Sequence, residues 1–354
     1  MSKTNPIPSR RSFLLTSTTG LIAGAVPLIF GDHPGTDQCT QTSSSATQKP
    51  VWSHEYWAKK GDVSLFMFRK RLGAPQPGQA LPVLFLAHGS SVSSLPTYDL
   101  SVPGHGEYSL MDKFAEYGFD VWTMDFEGYG RSTQTTGNSD IATGVEDLKA
   151  AAEVILKETG QGRFHLYGES SGALRAGAFA MARPDRLNKL LLAALTYTGQ
   201  GSPTLAKRAA LLDFYRTHNR RPRDRAMIAS IFTRDKPGTS DPAVAEAVAD
   251  AEMKNGDTVP TGSYLDMISK LPLIDPAQLA MPVLILRGEY DGIATEDDVL
   301  NFFKGLRTAQ RELVILPGAS HAVALGINRR QLWHVMRFFL CEPPRLDTEV
   351  TKGI

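Results

Sequence analysis

Gly168-Glu169-Ser170-Ser171-Gly172 is the stretch on which the fold of this chain turns. It spells Gly-x-Ser-x-Gly. Before it runs Arg163-Phe-His-Leu-Tyr167, extended in character; after it comes a helix-like segment from Ala173 to Arg183. A serine on so sharp a strand-to-helix turn is pushed into a strained backbone conformation, with its hydroxyl exposed above the sheet edge. The residues two places to either side must be small, because a Cβ there would collide across the turn. Amides at the start of the helix can stabilise developing negative charge. A Gly/Ser-rich turn without chemistry would spell the same five letters, and it is the strand before and the helix after that favour the chemical reading.

Outward from this turn, apolar runs recur. Pro82-Val-Leu-Phe-Leu-Ala87 and Phe119-Asp-Val-Trp-Thr-Met124 have the continuous character of strands buried on both faces. The first ends in His88-Gly89-Ser90-Ser91, the second in Asp125-Phe-Glu-Gly-Tyr-Gly-Arg-Ser132. Val63–Phe68 alternates loosely and reads as an early antiparallel strand. Helices are expected around Leu110–Glu116 and from Asp140 to about Thr159, and further strands at Leu187–Leu195, Pro282–Leu286 and Glu312–Leu316. Strands alternating with helices imply an α/β chain with a mostly parallel central sheet and helices on both faces.

Residues 196–275 break the rhythm. No strand is expected there, and Ser202-Pro203 and Asp241-Pro242 each read as an N-cap followed by proline at the first helical position. The expected organisation is a core of residues 51–195 and 276–345 with a helical cap, 196–275, inserted between sheet strands. The cap carries Tyr197, Phe214, Tyr215, Met227, Phe232, Tyr264 and Met267. Most belong to its own core; Tyr197, Tyr215 and Tyr264 are candidate substrate contacts. The basic run from Arg216 to Arg225 is expected to be a solvated face rather than an anion site.

A serine hydroxyl is a poor nucleophile until a base takes its proton, and a carboxylate must hold that base in one tautomer. The chain supplies both after sheet strands: Arg287-Gly288-Glu289-Tyr290-Asp291-Gly292 follows one, and Pro317-Gly318-Ala319-Ser320-His321 follows the next. The order Ser170, Asp291, His321 and the turns at His88-Gly89, Asp125–Ser132, Gly288–Asp291 and Gly318–His321 together resemble the α/β-hydrolase superfamily, specifically its capped serine hydrolases, over roughly residues 55 to 340.

That resemblance implies Ser170 as nucleophile, His321 as general base and Asp291 as orienting acid. It implies an oxyanion hole of the Ser90 and Ser171 backbone amides. Glu289 is the competing acid, and Ala193-Ala-Leu-Thr-Tyr197, after an earlier strand, carries none. Glu169 reads as structural or as tuning the pocket rim, and His165 as packed within its strand. His105 closes the Ser/Pro-rich loop from Ser90 and is a candidate substrate contact. Capped relatives that open epoxides or displace halide have aspartate at the elbow, so serine here implies acyl transfer to water: an esterase-like enzyme acting on a carboxylic ester, lactone or carbamate of a small, fairly apolar substrate. The alternatives are hydrolysis of a carbon–carbon bond in a diketone-like substrate, and a slow-turnover ligand-binding protein of the same fold.

Composition excludes more than it identifies. Among 354 residues, 42% are hydrophobic and 21% charged, with net charge +1, so nothing favours a nucleic-acid partner. No Cys/His cluster has metal-ligand spacing, no Gly-rich loop follows the first strand as a dinucleotide requires, and no cofactor is expected. Ser9-Arg10-Arg11-Ser12-Phe13-Leu14-Leu15 leads into a mildly apolar run ending near Phe30 and resembles a bacterial twin-arginine export signal. Residues 1–30 are therefore expected to be a signal peptide engaging the twin-arginine export machinery, and residues 31–50 a flexible linker. The run is short for a stable membrane span. Ala23-Gly24-Ala25 and Ser44-Ser45-Ala46 are small-x-small cleavage candidates, and the destination is periplasmic or secreted. Cleavage after Ala25 removes Lys3, Arg10 and Arg11, so 38 basic side chains less three leaves 35 against 37 acidic. Cys39 and Cys341 could bridge in an oxidising compartment; cleavage after Ala46 would discard Cys39, and no disulfide is expected.

Overall fold

A computed structural model of the chain describes Met1 and residues 50–343. The expected export signal, the linker up to Pro50 and Cys39 lie outside the described residues, as do the last two residues of the expected core.

The chain enters through an antiparallel hairpin, β1 (Val51–Lys60) and β2 (Val63–Leu72), joined by the two-residue turn Gly61-Asp62. Gly61 has φ +56°, the conformation such hairpin turns demand at their first position. β1 is absent from the sequence expectation because it is an edge strand: its aromatic residues alternate with polar ones and most remain partly exposed. Then follow β3 (Val83–Ala87), α1 (Ser94–Tyr98), β4 (Asp99–Ser101), β5 (Glu107–Ser109), α2 (Leu110–Glu116), β6 (Asp120–Met124), α3 (Ile141–Thr159), β7 (Phe164–Glu169), α4 (Ser171–Ala182) and β8 (Leu187–Ala193). α1 and β4 occupy what reads from sequence as a plain Ser/Pro-rich loop. They are too short for a periodic signal.

Between β8 and the remaining strands lie α5 (Pro203–Ala209), α6 (Leu212–Thr217), β9 (Arg220–Pro222), α7 (Arg225–Ser230), α8 (Pro242–Met253), β10 (Thr258–Pro260) and α9 (Gly262–Ser269). Ser202 and Asp241 cap their helices as expected, accepting from the Leu205 and Ala243 amides. Two expectations are corrected here. β9 and β10 pair antiparallel, three residues each, too short and too basic to show alternation. The basic run is also no solvated face throughout. Arg216 and Arg225 are exposed, but Arg220 donates to the Gly128 carbonyl at 3.0 Å and Arg223 is buried against Glu252.

The chain closes with β11 (Val283–Gly288), α10 (Glu296–Gly305), β12 (Arg311–Leu316) and α11 (Arg329–Cys341). Cys341 is disulfide-bonded, against the expectation of no disulfide, which rested on cleavage after Ala46 removing Cys39; Cys39 itself lies outside the described residues.

The eight-stranded sheet has the order β1-β2-β6-β3-β7-β8-β11-β12, antiparallel at β1/β2 and β2/β6 and parallel elsewhere. Alternate residues of the parallel strands feed two cores. Phe85, Trp122, Leu166 and Ile285 pack toward α3 and α4, and Leu84, Val121, Tyr167 and Leu284 toward α2 and α11. After β3 the chain passes to β6 on one side, then returns to β7 on the other. That reversal opens a crevice at the carboxyl ends of β3 and β7, where ligands of such sheets bind.

Candidate active site

Ser170 occupies that crevice. Its backbone is at φ 59°, ψ −124°, a region that costs a side-chain-bearing residue about 1–3 kcal/mol. The Ser170 amide donates to the Ala193 carbonyl at 2.9 Å, anchoring the turn to β8. The two glycines explain how the turn closes. A Cβ on Gly168 would lie 2.3 Å from the Gly172 carbonyl oxygen, and one on Gly172 would lie 2.2 Å from that of Ala87. Backbone therefore packs on backbone where β7, α4 and β3 meet, lifting the Ser170 side chain clear.

His321 Nε2 stands 2.8 Å from Ser170 Oγ, and His321 Nδ1 is 2.9 Å from both carboxylate oxygens of Asp291. Asp291 is fully buried, which alone would raise its pKa, but His321 and the Ile293 and Ala294 amides hold it below the ordinary carboxylate value. An ionised carboxylate only accepts, so the shared proton sits on Nδ1 and the Nε2 lone pair faces Ser170. The competing acid, Glu289, instead accepts the Gly318 amide at 2.8 Å, bracing the turn that presents His321. Sequence reasoning passed over Asp235. Its side chain is shielded from solvent, meets the His321 amide at 3.3 Å and pairs with Arg234 at 3.3 Å.

Ser90, on the loop after β3, and Ser171, the first residue of α4, lie beside Ser170. Ser90 Oγ donates to Ser171 Oγ at 2.6 Å and accepts from Ser263 Oγ at 2.9 Å, leaving both backbone amides beside Ser170. The Ser171 amide opens α4, where no preceding turn of helix supplies a carbonyl. The Ser90 amide reaches no backbone carbonyl among the described residues. His88, before this loop, is fully buried and pushed down to about 3 by burial, with Nε2 accepting the Phe126 amide at 3.2 Å. It is a neutral structural ring.

The pocket in front of Ser170 is walled by Val92, Ile231, Phe232, Ile293 and Leu325, with Glu169, Arg208 and Arg234 among its polar members. Of the aromatic and histidine contacts expected from sequence, none lies in this wall. His105 is exposed and binds Asp241 at 2.7 Å. Tyr197 packs edge-on against Phe302. Tyr215 and Tyr264 are buried and stack on each other, and the Tyr264 hydroxyl meets Ser91 Oγ at 2.7 Å, one layer behind the wall. His165 is packed in β7, pushed down to about 3 by burial.

Two charged residues of the wall matter chemically. Burial pushes Glu169 up to about 7, against the opposing Tyr167 hydroxyl 2.9 Å away and the nearby His321. Arg208 has no salt-bridge partner among the described residues. Its guanidinium lies 5.1 Å from the Tyr264 ring centre, and burial, with Arg234 and Arg221 nearby, lowers its pKa despite Tyr264. Nothing in the local pattern of α5 marks Arg208 in advance, because a basic residue in a helix's last turn is commonplace.

Among the described residues no group of three or more His, Cys, Asp or Glu could hold a metal, and no helix is long and apolar enough to cross a membrane.

The comparisons with known proteins bear on the family and the fold. A family described as serine aminopeptidase, S33, matches residues 103–326. Two curated relatives are each named 2-hydroxy-6-oxononadienedioate/2-hydroxy-6-oxononatrienedioate hydrolase. The one from Burkholderia vietnamiensis is 39% identical over 84 residues, 23% of this chain and 27% of that protein. The one from Paraburkholderia phymatum is 38% identical over 87 residues, 24% and 28% of the two lengths. The chain thus spans about a quarter of the length of these relatives. Among solved structures, a 2-hydroxy-6-oxo-6-phenylhexa-2,4-dienoate hydrolase from Rhodococcus is similar at TM-score 0.60 and 22% identity, over 82% of this chain and 100% of that one. A thermophilic esterase from Thermogutta terrifontis is similar at TM-score 0.58 and 21% identity, over 82% and 98%. At such identities these structures show the α/β-hydrolase fold and no more.

Proposed function

This chain belongs to the serine aminopeptidase S33 family of α/β-hydrolases, and from that premise we propose that it hydrolyses a carbon–carbon bond in a diketone-like substrate bearing a carboxylate. The observation that carries the reading is Arg208. A half-buried guanidinium with no carboxylate partner among the described residues, in a largely apolar wall, favours a substrate that brings its own anion. The names of the curated relatives, both hydrolases of dienedioates, support the same choice. The wall's cations equally oppose the ammonium group that an aminopeptidase has to hold.

In this reading Ser170 Oγ attacks the ketone carbonyl while His321 Nε2 takes its proton, and the amides of Ser90 and Ser171 receive the oxyanion. Collapse breaks the bond to the neighbouring carbon. The step requires the keto tautomer of the substrate, in which the electron pair delocalises, through the intervening double bond in a dienoate, into the second carbonyl as an enolate, and the proton returns from His321. Water, deprotonated by His321, then releases the acyl group from Ser170 as a carboxylic acid. Asp291 holds the imidazole throughout.

The second reading is hydrolysis of an ester, favoured by the apolar wall of Val92, Ile231, Phe232 and Leu325, which suits a short acyl chain. One comparison separates the two: kcat/KM for a 2-hydroxy-6-oxo-dienoate against p-nitrophenyl butyrate. Faster cleavage of the dienoate is the expected result. Turnover of the ester alone would leave the ester reading standing and remove the first.

Export by the twin-arginine route is proposed on the strength of Arg10-Arg11 and the apolar run that follows. Replacing both arginines by lysine is expected to retain the protein in the cytoplasm, and unchanged export in a cell-fractionation assay would remove the proposal.

A further inference from the structure

Arg223 and Glu252 form an ion pair inside the cap, each almost wholly buried. Such a pair is a poor device for stability. Desolvation of two charges commonly cancels their attraction, and apolar replacements of similar volume are often neutral or better. Glu252 also stands in the last turn of α8, where the helix dipole disfavours a negative charge. The partners beyond the pair point to a different role. Glu252 Oε1 accepts the Ser93 amide at 2.6 Å and also the Ser93 hydroxyl. Arg223 Nη1 donates to the Ser91 carbonyl at 3.1 Å. The pair thus holds both the carbonyl and the amide side of residues 91–93, next to Ser90. From the core side, Asp125 fixes the following residue, accepting from the Ser94 amide at 2.9 Å and its hydroxyl at 2.6 Å.

We propose that the Arg223–Glu252 pair positions the oxyanion loop, so that the cap sets where the Ser90 amide points. The proposal rests on the reading of Ser170 as nucleophile and of the Ser90 amide as oxyanion donor. A loop with neither strand nor helix at Ser90 has no ladder to fix an amide; the Ser90 hydroxyl ties it to Ser171 on the core side, and the two charged groups fix the residues that follow from the other side. The competing role is purely structural: Arg223 Nη2 also donates to the Gly256 carbonyl at 2.8 Å and the Glu252 carbonyl at 3.2 Å, capping α8.

The two roles separate in the kinetics of a fluorophosphonate probe, whose phosphoryl oxygen takes the oxyanion's place as Ser170 is labelled. Loss of a whole oxyanion donor costs about 10²–10³ in rate, so a displaced one is expected to cost about tenfold to a hundredfold. Glu252→Gln in the full chain should therefore lower kinact by that amount while KI stays within about twofold. If Glu252→Gln shows no cooperative thermal transition, Ser93→Ala, which leaves the ion pair in place, carries the test with a loss of about fivefold in kinact, as for one hydrogen bond. Unchanged kinact in the folded variant, or kinact and KI changing together, overturns the proposal. A wild-type protein that the probe does not label at Ser170 instead overturns the reading beneath it, and the two failures are told apart by the wild-type control.

Discussion

Ser90 Oγ and Ser171 Oγ are hydrogen-bonded at 2.6 Å, joining the loop after β3 to the first turn of α4 across 81 residues of chain. The two amides beside Ser170 are thereby held in register by their own side chains. Ser263 extends the chain of hydroxyls to the first turn of α9 at 2.9 Å. Ser171→Ala leaves every backbone amide in place and removes only this tie. One such bond is worth about 1 kcal/mol, so kcat is expected to fall roughly fivefold with KM unchanged. A steady-state assay in which KM rises and kcat holds would contradict it.

The triad geometry makes a sharper statement. Ser170→Ala and His321→Ala should each remove most turnover, on the order of 10⁴-fold or more, and the double variant should cost little beyond either, because the three act as one unit. Asp291→Asn should keep the fold and lose a comparable amount, since the amide cannot hold the Nδ1 proton in place. Intact-mass analysis with a fluorophosphonate should show a single label, on the peptide bearing Ser170. Near-full activity of Ser170→Ala is the result this assignment could not survive.

Glu169 gives the protein a pH dependence of stability. Burial raises its pKa from 4.5 to about 7, so the folded state binds this proton more tightly than the unfolded chain. The associated stability is present below the ordinary carboxyl pKa and is lost as pH rises through about 7. At 1.36 kcal/mol per pKa unit the amplitude is about 3 kcal/mol. The Tm of the wild type should therefore fall between pH 5 and pH 9, and Glu169→Gln should flatten that slope. A slope unchanged in the variant would assign it to another group.

Much of this was legible in advance because it depends on local chemistry. Strands β3 and β6 are buried on both faces and so are written as short, largely apolar runs. The elbow is written in Gly168 and Gly172, whose missing Cβ atoms the backbone requires. Ser170, Asp291 and His321 stand at strand ends, where a parallel sheet brings them together whatever the loops do. What stayed hidden depends on contacts between distant segments. β1 is an exposed edge. Tyr215 and Tyr264 have the composition of pocket aromatics, yet they stack behind the wall. The Arg216–Arg225 run splits between solvent and interior because Glu252 and Gly128 are placed to receive Arg223 and Arg220. Arg208 is conspicuous only by lacking a carboxylate partner among the described residues, and that is a property of three dimensions.

Arg208 also offers the most direct test of the substrate. Its guanidinium reaches the pocket without a carboxylate to neutralise it, between the Tyr264 ring and the apolar wall. Losing one partner of a desolvated, hydrogen-bonded charge pair costs about 2–5 kcal/mol. Arg208→Met, which keeps the volume and apolar stem but not the charge, should therefore lower kcat/KM for a 2-hydroxy-6-oxo-dienoate by about 30-fold or more. The same variant should cleave neutral p-nitrophenyl butyrate within about threefold of the wild type, because Arg208 touches neither Ser170 nor His321 in the hydrogen-bond network. The discriminating quantity is the ratio of the two specificity constants, which cancels any general loss of folded protein. A ratio unmoved by Arg208→Met would show that the anion, if the substrate has one, is held elsewhere.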